Sequence, residues 1–179
     1  MGGYCLRAME SAVHALSGFN NKYMSRSDVN PINGVQYVNF LYWLSRCLFE
    51  DGNVDMADRV YSLNKMLHSV DLFYEVKLPS VWSCEHPLGA VMGRAFYGNR
   101  FFFYQGCTVG GNRRNGRDVI DYPKIGDDVI MYSNSKILGN SCIGDNVILS
   151  ANAYIINESI PNNCIVFGQS PHLTLKEKE

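Results

Sequence analysis

Written in sixes, residues Ile125 to Ile155 read IGDDVI MYSNSK ILGNSC IGDNVI LSANAY I, and the columns of that block decide the fold. A large apolar residue heads every unit: Ile125, Met131, Ile137, Ile143, Leu149 and Ile155. Four places after each of the first five comes a smaller one: Val129, Ser135, Ser141, Val147 and Ala153. Between them stand Asp128, Asn134, Asn140, Asn146 and Asn152. Asn and Asp are the non-glycine residues that best tolerate the left-handed backbone of a tight corner. Each unit therefore reads as a short strand followed by a corner. A period of six suits neither an α-helix nor an ordinary strand, but it suits a coil of triangular cross-section with about eighteen residues per turn. The expectation is a parallel β-helix in which like residues stack in ladders.

Working outward, the register continues upstream through Tyr97, Phe103 and Val109, with Gly106 at a corner and Cys107 at the small position. Sixteen residues separate Val109 from Ile125, which is no multiple of six, so the polar segment GGNRRNGRDVIDYP must leave the coil as a loop within residues 110–123. Downstream the register slips once and resumes at Ile160, with Asn163 and Cys164 in the corner and small positions. So short a coil has open ends and thin walls, which call for caps or partner subunits. Before it lie three helical patterns. Cys5, Met9, Ala12, Val13 and Leu16 mark a first helix stopped by Gly18, and Val35, Val38, Leu41, Tyr42 and Leu48 mark a second closed by Asp51-Gly52. Asn53 is placed to cap a third, carrying Met56, Ala57, Val60, Leu63 and Leu67. The expected architecture is mainly β: an α-helical N-terminal subdomain over 1–68, then a β-helix domain over 69–179 with the extruded loop and a C-terminal tail.

Sixteen basic against seventeen acidic side chains give a formal charge of −1, which points to no nucleic acid and no anionic membrane. No window reads as a membrane span, and the start MGGYCLRAME lacks the design of a signal peptide, so the expected location is cytoplasmic. Cys5, Cys47, Cys84, Cys107, Cys142 and Cys164 show no CxxC spacing and read as reduced thiols, with no metal site.

The chain resembles the serine O-acetyltransferases, hexapeptide-repeat enzymes with a helical N-terminal domain and a left-handed β-helix. The likeness runs from about Val35 to Gly168. It begins at the Gly52 turn and continues through Val70-Asp71. Fifteen residues after Asp71 comes His86, in EHPLGAVMG, similar to the family's acidic-His-x-x-Gly-x-Val-x-Gly segment. CTVGGN resembles its Val-Thr-Leu-Gly-Gly-Thr, and PKIGDDV and SKILGN resemble the stretch after its extruded loop. The left hand comes from this resemblance alone; the crossover rule for parallel strands favours a right-handed coil.

The resemblance implies acetyl transfer from acetyl-CoA to a hydroxyl, with a homotrimer, or a hexamer, as the assembly. His86 takes the place of the general base, which a neutral imidazole suits near neutral pH. Asp71 takes that of the carboxylate orienting it, although Asp71 equally suits a cap at the junction between subdomains. Glu85 stands where an aspartate contacts the acceptor. Alone, a histidine beside Pro87 reads as a surface or satisfied core residue; the paired Asp71 and the repeat favour catalysis. His14, His68 and His172 are given structural readings. Acetyl-CoA is expected along a groove between coils, against the small residues Gly111, Ser133 and Ala151 together with Asn112, and the Gly111 amide suits an oxyanion. Arg113, Arg114 and Arg117 are candidates for its phosphates, or are solvated loop charges.

One departure bears on the acceptor. Where the serine enzymes carry Arg-His before Pro-Lys-Ile, this chain has Asp121 and Tyr122. An aspartate repels a substrate carboxylate, whereas tyrosine packs on a sugar face, so the acceptor expected is a sugar or glycan-precursor hydroxyl, as in surface polysaccharide modification. A serine O-acetyltransferase of cysteine biosynthesis and a non-catalytic CoA-binding scaffold are the alternatives. A γ-type carbonic anhydrase needs three imidazoles at its metal, and only His86 lies near the working face.

Overall fold

The computed structural model describes residues 2–21, 28–113 and 120–178. Helices α1 (Gly2–Ser17), α2 (Gly34–Glu50) and α3 (Val54–His68) come first. Ala8, Ala12, Ala15 and Leu16 form the buried stripe of α1. The side chain of Asn33 caps α2 by accepting from the Val35 and Gln36 amides. Gly52 turns the chain at φ 79. Asn53 does occupy the N-cap place of α3, but its side chain makes no capping bond, so that expectation holds in position only.

Three faces of short parallel strands follow. The first stacks β2 (Val91–Met92), β5 (Thr108–Gly110), β10 (Lys136–Leu138) and β13 (Tyr154–Ile156). The second stacks β3 (Phe96–Tyr97), β8 (Lys124–Ile125), β11 (Cys142–Ile143) and β14 (Ser159–Ile160). The third stacks β1 (Trp82–Cys84), β4 (Phe101–Phe103), β9 (Ile130–Met131), β12 (Ile148–Leu149) and β15 (Cys164–Gln169). The heads of the repeat meet in register: Tyr97, Ile125, Ile143 and Ile160 on one face, Val109, Ile137 and Ile155 on another, Phe103, Met131, Leu149 and Val166 on the third. All are buried. Each such side chain contributes about 1.5–3 kcal/mol, so the ladder is the main source of the coil's stability.

The fold is a left-handed parallel β-helix of about five turns. The right-handed expectation fails because that rule describes long twisted strands joined through helices. Strands of two or three residues turned by tight corners escape it. The left-handed corner residues Asp128, Asn134, Asn146, Asn152 and Asn163 stand where the repeat put them, three places past the inward residue. Asn140 does not belong with them. After the first face the corner comes one place sooner, at Gly139 (φ 65) and Asn157 (φ 56). The register slip lies just past Asn157, where that shorter corner loses one residue before Ile160.

Both ends of the coil are covered. Trp82 lies flat on Phe103, with Tyr42 of α2 edge-on against it at 5.3 Å. The Tyr42 hydroxyl donates to the Val76 carbonyl (2.8 Å) and accepts from the Leu78 amide (2.9 Å). Ala15, Val38 and Tyr42 thus share one continuous core with the coil. At the far end β16 (His172–Glu177) pairs antiparallel with β15 along six residues and shields its edge.

Candidate active site

His86 owes its position to an irregularity. Eight residues separate Cys84 from Met92, whereas six separate the residues paired with them on the next coil, Phe103 and Val109, so this corner bulges by two. His86 sits on the bulge at φ 50, an uncommon backbone for a residue with a side chain. It is exposed, and it lines a cleft of 280 Å³ between the bulge and the helices. Val35 and Val38 of α2, Leu67 and His68 of α3, and Leu88 form the walls. Among the lining residues there is no carboxylate, ammonium or guanidinium, and the two imidazoles are the titratable side chains.

Asp71 opens the coil by bridging Val91 on the first face. Its carboxylate accepts from the Tyr61 hydroxyl (2.7 Å) and pairs with the Lys65 ammonium (2.6 Å), both on α3. Among the described residues it makes no hydrogen bond to His86. The bond to Asp71 pushes the Lys65 ammonium up, and burial and then Asp71 push the Tyr61 phenol up. As placed here Asp71 bolts α3 to the first coil, the junction role that the sequence also allowed.

Glu85, though next to His86, is not among the residues that line the cleft. Tyr104, one coil on, has its phenol pushed up to about 12, by burial first and then by its hydrogen bond to Glu85. That tyrosine stacks on Tyr132 at 5.1 Å and lines a second groove of 410 Å³ with Phe19 and Phe102, outside the third face. Ser133 and Ala151 do share an edge with His86, each two places past its inward residue on the third and fourth coils. Between them and His86 stands Gln105, whose buried Oε1 has no partner among the described residues.

Gly111 and Asn112 lie elsewhere, on the edge beyond the first face. Asn112 pairs with Asp121 and Arg113 with Ile120, in a two-stranded hairpin of β6 (Asn112–Arg113) and β7 (Ile120–Asp121) at the base of the loop. Tyr122 is 38% exposed, and its ring closes over Gly111. A Cβ at residue 111 would stand 2.8 Å from Tyr122 Cε1 and 2.5 Å from Ile120 Cγ2. Packing under the loop therefore already demands glycine there, whatever else its amide does. Arg114 and Arg117 lie outside the described residues.

His68, given a structural reading from the sequence, also lines the cleft of His86. Its Nδ1 lies 3.0 Å from Asn64 Oδ1, while Asn64 Nδ2 donates to the Val38 carbonyl at 3.1 Å. A carbonyl only accepts, so the amide orientation is fixed, Oδ1 is the acceptor, and the proton of His68 is on Nδ1. Burial holds its pKa below the usual histidine value. The spacing of Asn64 and His68, one helical turn, was the available signal.

The repeat and the coil define a class by architecture: a left-handed β-helix built on a six-residue repeat. The family model for bacterial transferase hexapeptide (six repeats) matches residues 122–157. A serine acetyltransferase of Staphylococcus epidermidis is 29% identical over 132 residues, covering 73% of this chain; the chain spans 60% of the length of that relative. The crystal structure of serine acetyltransferase from Brucella abortus superposes with a TM-score of 0.74 at 20% identity, over 96% of this chain and 68% of that one. That of Neisseria gonorrhoeae serine acetyltransferase in complex with serine gives 0.71 at 22%, over 98% and 69%. Within its class, the chain is similar to the serine O-acetyltransferases. Among the described residues no helix is long and apolar enough to cross a membrane.

Proposed function

We propose that the protein is an acetyl-CoA-dependent O-acetyltransferase acting on a hydroxyl of a small acceptor. The observation that carries this reading is His86, raised on a bulged corner at the head of the edge that holds Ser133 and Ala151. In the reaction His86 Nε2 or Nδ1 takes the proton as the hydroxyl oxygen attacks the thioester carbonyl, and returns it to the departing thiolate. The small Ser133 and Ala151 leave room for a long ligand beside that edge. Gly111 and Asn112 stand on a different edge, so a groove joining both sets would form where two copies of the chain meet, as in a trimer. A carboxylate accepts more than two bonds, so Asp71 retains capacity for an imidazole N–H.

Serine, the molecule named with the Neisseria gonorrhoeae structure, suits the acceptor role at least as well as the sugar to which Asp121 and Tyr122 point. Both belong in the test: release of free thiol from acetyl-CoA on adding serine, sugars or nucleotide-sugars. His86→Ala is expected to abolish release while acetyl-CoA still binds by calorimetry. Full activity in that variant would refute the assignment. Asp71→Asn separates its two roles, since a loss of turnover with an unchanged urea midpoint marks an orienting carboxylate. The bonds that Asp71 makes to α3 favour a second reading, a CoA-binding scaffold, which predicts binding without thiol release on any hydroxyl compound.

A further inference from the structure

Two imidazoles share the cleft of 280 Å³, and they differ in what their surroundings allow. His86, on the bulge, is exposed, and its ring is held by no hydrogen bond among the described residues. His68 is held on two sides. Nδ1 is committed to Asn64, a residue only 2% exposed, and the ring sits edge-on to Tyr37 at 5.8 Å. The bond from Asn64 to the Val38 carbonyl forces the Nδ1–H tautomer, which leaves Nε2 as a bare acceptor. Among the described residues Nε2 has no partner. Burial disfavours the charged ring and holds its pKa below the ordinary value, in the direction of the form that accepts. Asn64, His68 and Val38 belong to α3 and α2, so the helices bring a second imidazole, fixed in place, to the cleft that His86 lines.

We propose that His68 is an acceptor-recognition residue: its Nε2 takes a hydrogen bond from a second O–H or N–H donor of the molecule whose reacting hydroxyl faces His86. This rests on the acetyl-transfer reading above. The substrate class follows as a two-donor compound, with a diol and a hydroxy amine as the two sources of that chemistry. A preorganised acceptor favours a molecule that carries the matching donor over an analogue that lacks it, by the net worth of one hydrogen bond.

The test uses thiol release from acetyl-CoA with matched pairs: L-serine against 3-hydroxypropionate, and 1,2-propanediol against 1-propanol. Wild type is expected to favour the two-donor member of at least one pair, and which pair tells the source. His68→Phe keeps the ring packing against Tyr37 and removes the lone pair. It is expected to lower kcat/KM for the two-donor member by roughly tenfold or more and to leave the one-donor member unchanged. Equal loss on both members, or none, overturns the proposal. A readout independent of turnover is the ¹⁵N shift of His68. Nε2 is expected to report the neutral Nδ1–H tautomer and to move on titration with L-serine or 1,2-propanediol in the presence of CoA. An Nε2 that stays still with both probes overturns the proposal, whereas movement without thiol release overturns acetyl transfer and leaves the recognition role standing.

Discussion

Replacing Tyr42 by phenylalanine probes the joint on which the cleft depends. The phenol is 1% exposed and holds two backbone groups at once, donating to the Val76 carbonyl and accepting from the Leu78 amide. Burial pushes its pKa up to about 12, so it remains a donor at any working pH. Phenylalanine keeps the edge-on contact with Trp82 and deletes one oxygen. Two buried backbone groups then lose their partner, at about 1–3 kcal/mol each. The expected loss is about 2–4 kcal/mol, the lower part of that sum, because the loop over residues 73–78 can relax. Out of a total stability of about 5–15 kcal/mol this is large. Urea unfolding followed by circular dichroism measures it, at one protein concentration throughout so that any assembly equilibrium is held fixed. Tyr97→Phe is the internal standard: that hydroxyl makes a single bond, to the Gly93 carbonyl at 2.7 Å, and its loss should cost about half as much. A Tyr42→Phe midpoint indistinguishable from wild type, or a smaller effect than Tyr97→Phe, would refute the two-bond clamp.

Alanine at Asn134 or Asn152 places an ordinary side chain at positive φ and is expected to cost about 1 kcal/mol in urea unfolding, while Asn140→Ala costs measurably less. Gly111→Ala should destabilise by about 1–3 kcal/mol through its clash with Ile120 and Tyr122, and a double-mutant cycle with Ile120→Ala should return a coupling of about 1 kcal/mol. His68 titrates lower in the folded chain than unfolded, so its contribution to stability is present above the unfolded value of about 6.5 and fades as pH falls through the depressed folded value. The urea midpoint of His68→Gln should therefore drop less than that of wild type between about pH 7.5 and 5; an identical drop would remove His68 as a contributor.

Much of the coil was readable one residue at a time. The ladders that stack Tyr97 on Ile125 or Val109 on Ile137 span the extruded loop, and counting in sixes on either side of it still put the right residues together. The exit of the loop followed from the same count. Asn140 was misplaced because the repeat treats three corners as equivalent, whereas the corner after the first face turns one residue early at Gly139. At the site, the repeat set Gly111, Ser133 and Ala151 together, whereas Gly111 falls on another edge, and the place of His86 was not legible because the corner that carries it bulges by two residues. Glu85 was read from the family's aspartate at that place, and no spacing along the chain showed that it would neighbour Tyr104 on the next coil.

The amino-acid sequence by itself determined the coil, its register, the point where the loop leaves it and the helical character of the first third, because a period repeats the same local physics at every turn. Only the tertiary structure decided what the helices do to the site. Asp71 meets Tyr61 and Lys65 in a contact between a helix and the first coil, and His68 and His86 line one cleft between the same two parts. No period relates the two: their meeting is set by how Tyr42, Trp82 and Val38 pack in the shared core, and packing has no signature along the chain.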